Sequence, residues 1–100
     1  MLTEKKLLTM DGGMGTLLYR EHGIERDPKI WLLRALTEET NHEKVVEAHQ
    51  RYLSAGADVI LTFNYPAVPM FVEQLEDGLT RLPELIATAG RLARRAVETF

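Results

Sequence analysis

His49-Gln50-Arg51-Tyr52-Leu53-Ser54-Ala55-Gly56-Ala57-Asp58-Val59-Ile60-Leu61-Thr62-Phe63 reads as the tail of a helix, a stop and a strand. Upstream, from Asn41 to Ala55, Val45, Val46, His49, Tyr52 and Leu53 recur at helical spacing on one face. Thr40 or Asn41 can cap the start, Glu43 suits the first turn, and Gly56 supplies the stop. Asp58 to Phe63 is then too continuously apolar for a strand that faces solvent on one side. Strands of that kind belong to parallel sheets covered by helices.

The same logic extends in both directions. Leu7 to Met10 predicts a short buried strand, and Gly15 to His22 a helix closed by Gly23. From Asp27-Pro28 to Leu36 the apolar residues Trp31, Leu32, Leu33 and Leu36 fit either a helical turn or a loop packed over a pocket. Beyond the second strand, Asn64 to Pro69 is a loop held by two prolines, and a short helix around Phe71 to Glu76 ends at Asp77-Gly78. Leu82 to Phe100 predicts an amphipathic helix with Leu82, Leu85, Ile86, Ala89, Leu92, Ala93, Ala96 and Val97 on its stripe and Pro83 in its first turn. Strand, helix, helix, strand, helix, helix is an α/β order built from parallel βα units.

One hundred residues, 45% hydrophobic and 27% charged, fit one small domain over residues 1–100. A net charge of -3 gives no global electrostatic reason to bind nucleic acid or an anionic membrane, and Arg91, Arg94 and Arg95 read as a solvated helix face. No cysteine is present, which excludes a disulfide framework and a thiolate metal site within this chain. Met1 to Lys6 lacks the apolar run of a signal peptide, and no stretch approaches the roughly 18 apolar residues of a membrane span. The expectation is a cytoplasmic protein.

The chemistry is concentrated in Asp11-Gly12-Gly13-Met14-Gly15-Thr16, which follows the first strand. Glycines let a ligand approach the backbone amides, and an ionised aspartate accepts hydrogen bonds from an ammonium group. The structural alternative is a turn whose glycines and capping acid serve sterics alone. Phosphate or nucleotide binding fits poorly. A dinucleotide fingerprint opening at Gly13 needs glycine where Leu18 stands, no Gly-Lys-Ser/Thr follows, and Asp11 repels phosphate.

Taken together, the DGGMGT turn, a tryptophan in the following loop, and the HxxYLxAGADVIxT run of His49 to Thr62 with its Asn/Tyr turn closely resemble the N-terminal part of the homocysteine S-methyltransferase family, across about residues 6 to 98. The family includes betaine- and S-methylmethionine-dependent enzymes and the homocysteine module of cobalamin-dependent methionine synthase. The resemblance implies a (βα)8 barrel of TIM type with its active site at the carboxyl ends of the strands. It further implies methyl transfer to homocysteine, whose thiol is activated by a zinc ion held on cysteine thiolates, to give methionine. By position it makes Asp11 and Gly12 the candidates for the amino acid end of the substrate. Thr62 and Tyr65 would contribute from the second strand's end, and Trp31 would line the pocket.

The chain also departs from the family pattern. Where many members read Thr-Asn-Thr-Tyr-Gln-Ala, it has Thr62-Phe63-Asn64-Tyr65-Pro66-Ala67, and Leu32 follows Trp31 in place of a hydroxyl residue. A (βα)8 barrel takes about 250 residues, and only two strands are predicted here. The family's zinc cysteines lie on later strands, so zinc belongs to the complete enzyme and no metal is expected on this chain alone. The expectation is therefore the N-terminal βα units of an incomplete barrel: a truncated product, one half of a split gene or a partial record of a longer chain. Homocysteine, a methyl donor and the remainder of the barrel, in cis or in trans, are its implied partners.

Open strand edges and an apolar helix face favour self-association or pairing with a complementary piece. A noncatalytic half-barrel acting as an assembly partner is thus the competing function. Among the remaining residues, His49 reads as a packed or hydrogen-bonded structural residue, His22 as a helix-end residue and His42 as solvent-exposed, and the three lack zinc spacing. Glu73, Glu76 and Asp77 read as a solvated cluster, and Met10 and Met14 as packing near the barrel mouth.

Overall fold

A computed structural model describes residues 7–100, and the Met1–Lys6 stretch read above lies outside them. Five helices follow in order: α1 (Met14–Glu21), α2 (Arg34–Thr37), α3 (His42–Ser54), α4 (Pro69–Val72) and α5 (Gly78–Thr99), with a 3-10 turn at Glu39–Asn41 leading into α3. The expected helix over Asn41–Ala55 is α3, and α1 stops at Glu21, two residues before Gly23, which like Gly56 after α3 has a positive φ. The apolar stretch before Leu36 resolves both ways. Trp31 sits in a loop, and Arg34–Thr37 forms a helical turn.

The core lies where α3 packs on α5. Val45, Val46, Ala48 and His49 of α3 are buried with Leu85, Ala89, Leu92 and Ala96 of α5, and Leu18, Leu32, Leu33 and Leu36 fill the space beneath. Each fully buried Leu or Val contributes roughly 1.5–3 kcal/mol relative to exposure. Glu43 pairs with Arg95, and Gln50 Nε2 donates to Thr99 Oγ1 at 2.9 Å and to the Ala96 carbonyl at 3.3 Å. These contacts rise together along both helices, so the two run in the same sense.

The strands differ from expectation. Among the described residues neither Leu7–Met10 nor Asp58–Phe63 forms a strand, and the two segments share one isolated parallel bridge, Met10 to Val59. Asp11 N–H donates to the Val59 carbonyl at 3.0 Å, and Val59 N–H to the Thr9 carbonyl at 3.1 Å. In a parallel ladder the next bonds would run from Leu61 N–H to the Asp11 carbonyl and from Thr9 N–H to the Ala57 carbonyl. Both donors go to carboxylates instead: Leu61 N–H to Asp11 Oδ2 at 3.1 Å, and Thr9 N–H to Asp58 Oδ2 at 2.9 Å. Two aspartate side chains thus intercept the ladder on either side of its single bridge. Leu7 and Leu8, expected to be buried, are exposed, Leu7 at 88%.

Four further expectations are corrected. α5 begins at Gly78, so Pro83 lies in its second turn, removing the bond that would reach the Leu79 carbonyl. Asp77-Gly78 starts α5 and does not end α4, which stops at Val72. Gly78 is required by a close approach, since a Cβ there would stand 1.6 Å from the Val72 carbonyl oxygen. On the stripe of α5, Ile86 and Val97 are exposed, and Thr88 is buried in the company of Leu85 and Leu92. His42 is half-buried, and because a carbonyl only accepts, its Nε2–H donates to Leu36 O at 2.7 Å.

Candidate functional site

The bridge between the two extended segments sets their C-terminal turns side by side. A cleft of about 340 Å³ opens there, and Asp11, Gly12, Trp31, Thr62 and Tyr65 all line it. Gly13, Met14, Gly15, Thr16, Leu61 and Phe63 complete its wall. Met14 is buried as expected near this mouth, whereas Met10 is half-exposed and lies off the wall.

Asp11 is held on two sides. Its N–H is committed to Val59 and its Oδ2 to the Leu61 N–H, while among the described residues Oδ1 has no hydrogen-bond partner. The carboxylate is therefore fixed in orientation, with one oxygen uncommitted among the described residues. Gly12 lies against Tyr52 of α3, whose hydroxyl would be 3.2 Å from a Cβ at that position. A side chain there would force the ring or the turn to shift, so the glycine sets how closely the Asp11 turn rests on α3.

Thr62 Oγ1 donates to Asn64 Oδ1 at 2.8 Å. With its proton committed, the hydroxyl offers only lone pairs elsewhere, and so matches a cationic donor. The buried Phe63 ring meets Tyr65 edge-on, with centroids 6.0 Å apart and planes at 71°. Partial burial pushes the Tyr65 phenol above its ordinary 10.0, so it remains a neutral hydroxyl at physiological pH. The departure at position 63 thus supplies an anchor that buttresses Tyr65.

Trp31 enters from a different loop. Its N–H donates to the Asp27 carbonyl at 2.6 Å and its carbonyl accepts from Asp27 N–H at 2.9 Å, closing a tight five-residue loop that puts Trp31 at φ 55°. The Asp27 carboxylate accepts from Lys29 N–H at 2.8 Å and Ile30 N–H at 3.4 Å. The Lys29 amide above all holds its carboxyl below the usual 3.8, with Ile30, Arg34 and Lys29 charge adding to that and burial opposing it. Arg26 places its guanidinium 4.0 Å from the Tyr19 ring centroid and 5.4 Å from that of Trp31.

Beneath the Asp11 turn, His49 is fully buried, and neither ring nitrogen has a partner among the described residues. Burial pushes its pKa below 6.5, and the Asp11 charge partly opposes that. The residues present do not fit a zinc ion. The chain has no cysteine, and among the described residues no three His, Asp or Glu side chains are grouped to hold a metal. No helix among those residues is long and apolar enough to cross a membrane.

The two turns were legible in the sequence, with Thr16 and Leu61 inside the motifs that define them; the Leu61 N–H bond and the Arg26 contact were not. Thr16 was legible as the last residue of the glycine turn. Leu61 contributes a backbone N–H, to which side-chain chemistry gives no clue, and Arg26 becomes visible only once Tyr19 and Trp31 meet.

A family model described as homocysteine S-methyltransferase matches residues 8–100. Homocysteine S-methyltransferase 1 of Zea mays is 34% identical over 91% of this chain and 27% of its own length. Homocysteine S-methyltransferase of Escherichia coli K12 is 30% identical over 100% of this chain and 31% of its own, and betaine-homocysteine S-methyltransferase of Drosophila melanogaster is 34% identical over 96% and 29%. The chain therefore spans less than a third of the length of these curated relatives. No solved structure gives a significant match. With its two motif-bearing turns facing one cleft and the family model covering nearly all of it, the chain belongs to the homocysteine S-methyltransferase family.

Proposed function

We propose that these residues form the first βα units of a homocysteine-binding (βα)8 barrel that transfers a methyl group to homocysteine to give methionine, and that the cleft holds the amino acid end of that substrate. The observation that carries this reading is the fixed Asp11 carboxylate, whose uncommitted oxygen shares a cleft with Thr62. Two acceptors in one cleft match an α-ammonium group, and the Gly12 and Gly13 amides are backbone donors suited to a carboxylate. Trp31, Phe63 and Tyr65 add apolar surface for the rest of the molecule. Because the chain has no cysteine and no three metal-ligating side chains are grouped among the described residues, thiol activation belongs to groups outside these residues, in cis or in trans.

The test uses the chain combined with a complementary piece of a family enzyme that carries the cysteines. Homocysteine binding followed by calorimetry is expected to weaken at least tenfold in Asp11→Ala, a loss typical of a hydrogen bond to a charged group, and methyl transfer should fall with it. The exposed Leu7, Leu8 and Leu61 favour a second reading, a noncatalytic assembly partner. Assembly without homocysteine binding, unchanged by Asp11→Ala, would select that reading.

A further inference from the structure

We propose that Arg26 is a positioning residue, whose guanidinium stacks against Tyr19 and Trp31 and holds the indole as a wall of the cleft. The proposal rests on the reading of that cleft as a ligand site. The backbone bonds to Asp27 fix the main chain of Trp31 and the core packs against its ring, but among the described residues no polar contact of the indole sets its orientation. Its Nε1 is buried without a hydrogen-bond acceptor among the described residues, and its backbone sits at φ 55°, a conformation that tryptophan rarely adopts. A strained, bulky residue without a polar tether keeps one orientation only if its neighbours impose it. The guanidinium lies 4.0 Å from the Tyr19 ring centroid and 5.4 Å from that of Trp31, within the range of cation–π attraction to each.

The surroundings supply both the alternative position and the reason Arg26 is available. A small recess of about 80 Å³, lined by Gly15, Thr16, Tyr19, Arg20, Arg26 and Trp31, adjoins the main cleft and shares Gly15, Thr16 and Trp31 with it. Withdrawing the Arg26 side chain would enlarge that recess and let the indole swing away from the ligand side. Arg26 forms no ion pair among the described residues, so no carboxylate competes for its face. Tyr19 in turn fixes Arg26 from the body of α1.

Trp31 is the only tryptophan, so its fluorescence reports directly on this wall. In the ligand-free full chain, Arg26→Ala is expected to red-shift Trp31 emission and raise its acrylamide quenching constant about twofold or more, with far-UV circular dichroism unchanged and Arg26→Lys intermediate. Homocysteine, titrated into the assembly described above, should bind about threefold to tenfold more weakly to Arg26→Ala, the range set by one cation–π contact. Emission and quenching identical to the parent chain in Arg26→Ala would overturn the proposal. Should that variant lose its helical signal, Arg26→Lys decides by the same two readouts. Failure of homocysteine to bind the parent assembly would overturn the ligand reading and leave the quenching comparison to decide whether Arg26 holds the indole.

Discussion

At the scale of single residues, His49 is fully buried with both ring nitrogens unpartnered among the described residues. An imidazole with two unpartnered nitrogens is buried where an apolar side chain of similar size would carry no desolvation penalty. His49→Leu should therefore be neutral or stabilising, by up to about 1–2 kcal/mol in urea unfolding. The same residue gives stability a pH dependence. Burial depresses the folded-state pKa below 6.5, so the unfolded chain binds the proton more readily. The neutral-imidazole contribution is intact above pH 6.5 and is lost as pH falls from there toward the folded-state value. Urea midpoints on either side of pH 6.5 should show this loss in the parent chain and a smaller one in His49→Leu. A loss of equal size in both would mean that other groups carry the acid sensitivity. A polar contact to His49 would be revealed by destabilisation of His49→Leu at neutral pH.

At the scale of elements, two glycines of α5 lead to opposite expectations. Gly78→Ala drives a Cβ into the Val72 carbonyl, which is backbone and cannot rotate aside, so α4 and α5 must separate. The expected cost is about 3 kcal/mol or more, at the upper end of overpacking effects. Gly90, inside the same helix, has nothing within 4 Å of a Cβ, and Gly90→Ala should stabilise by about 0.5–1 kcal/mol through helix propensity. Urea midpoints moving in the same direction for both would contradict the packing described here. The contrast also shows what was legible. α1, α3 and most of α5 follow from apolar spacing, because burial on one face leaves a period in the sequence. The start of α5 did not, since Asp-Gly serves as readily to stop a helix as to begin one. The strand pair failed for a subtler reason. In the sequence Asp11 offers a ligand group and Asp58 a strand residue, yet their carboxylates take the N–H groups that would have extended the ladder. The candidate site was more legible than the sheet, because its groups cluster in two turns, whereas the Arg26 contact needs three residues from separate positions to meet.

At the scale of the whole molecule, the helices bury their faces against one another, but among the described residues the extended segments have no second neighbour. Besides Leu7, Met10 and Leu61 stand 51% and 57% exposed beside a single bridge, and Val97 projects from α5 at 56% into a shallow groove that also includes Ile60 and Thr62. Open edges flanked by apolar side chains are templates for pairing with another chain. In the proposed barrel further strands would occupy those edges; for these residues purified alone, a second copy meets the same need less specifically. The purified chain is therefore expected to self-associate with rising concentration, as seen by light scattering on a sizing column. Leu7→Lys combined with Met10→Lys should shift it toward monomer, because charge on an edge opposes strand pairing. The same pair of changes should also weaken capture of a complementary barrel piece, whereas Glu43→Gln, which touches only the surface pair with Arg95, should leave both unchanged. Self-association undiminished in the double lysine variant would move the sticky surface to the exposed side of α5. Val97→Glu would then be the change that disperses it.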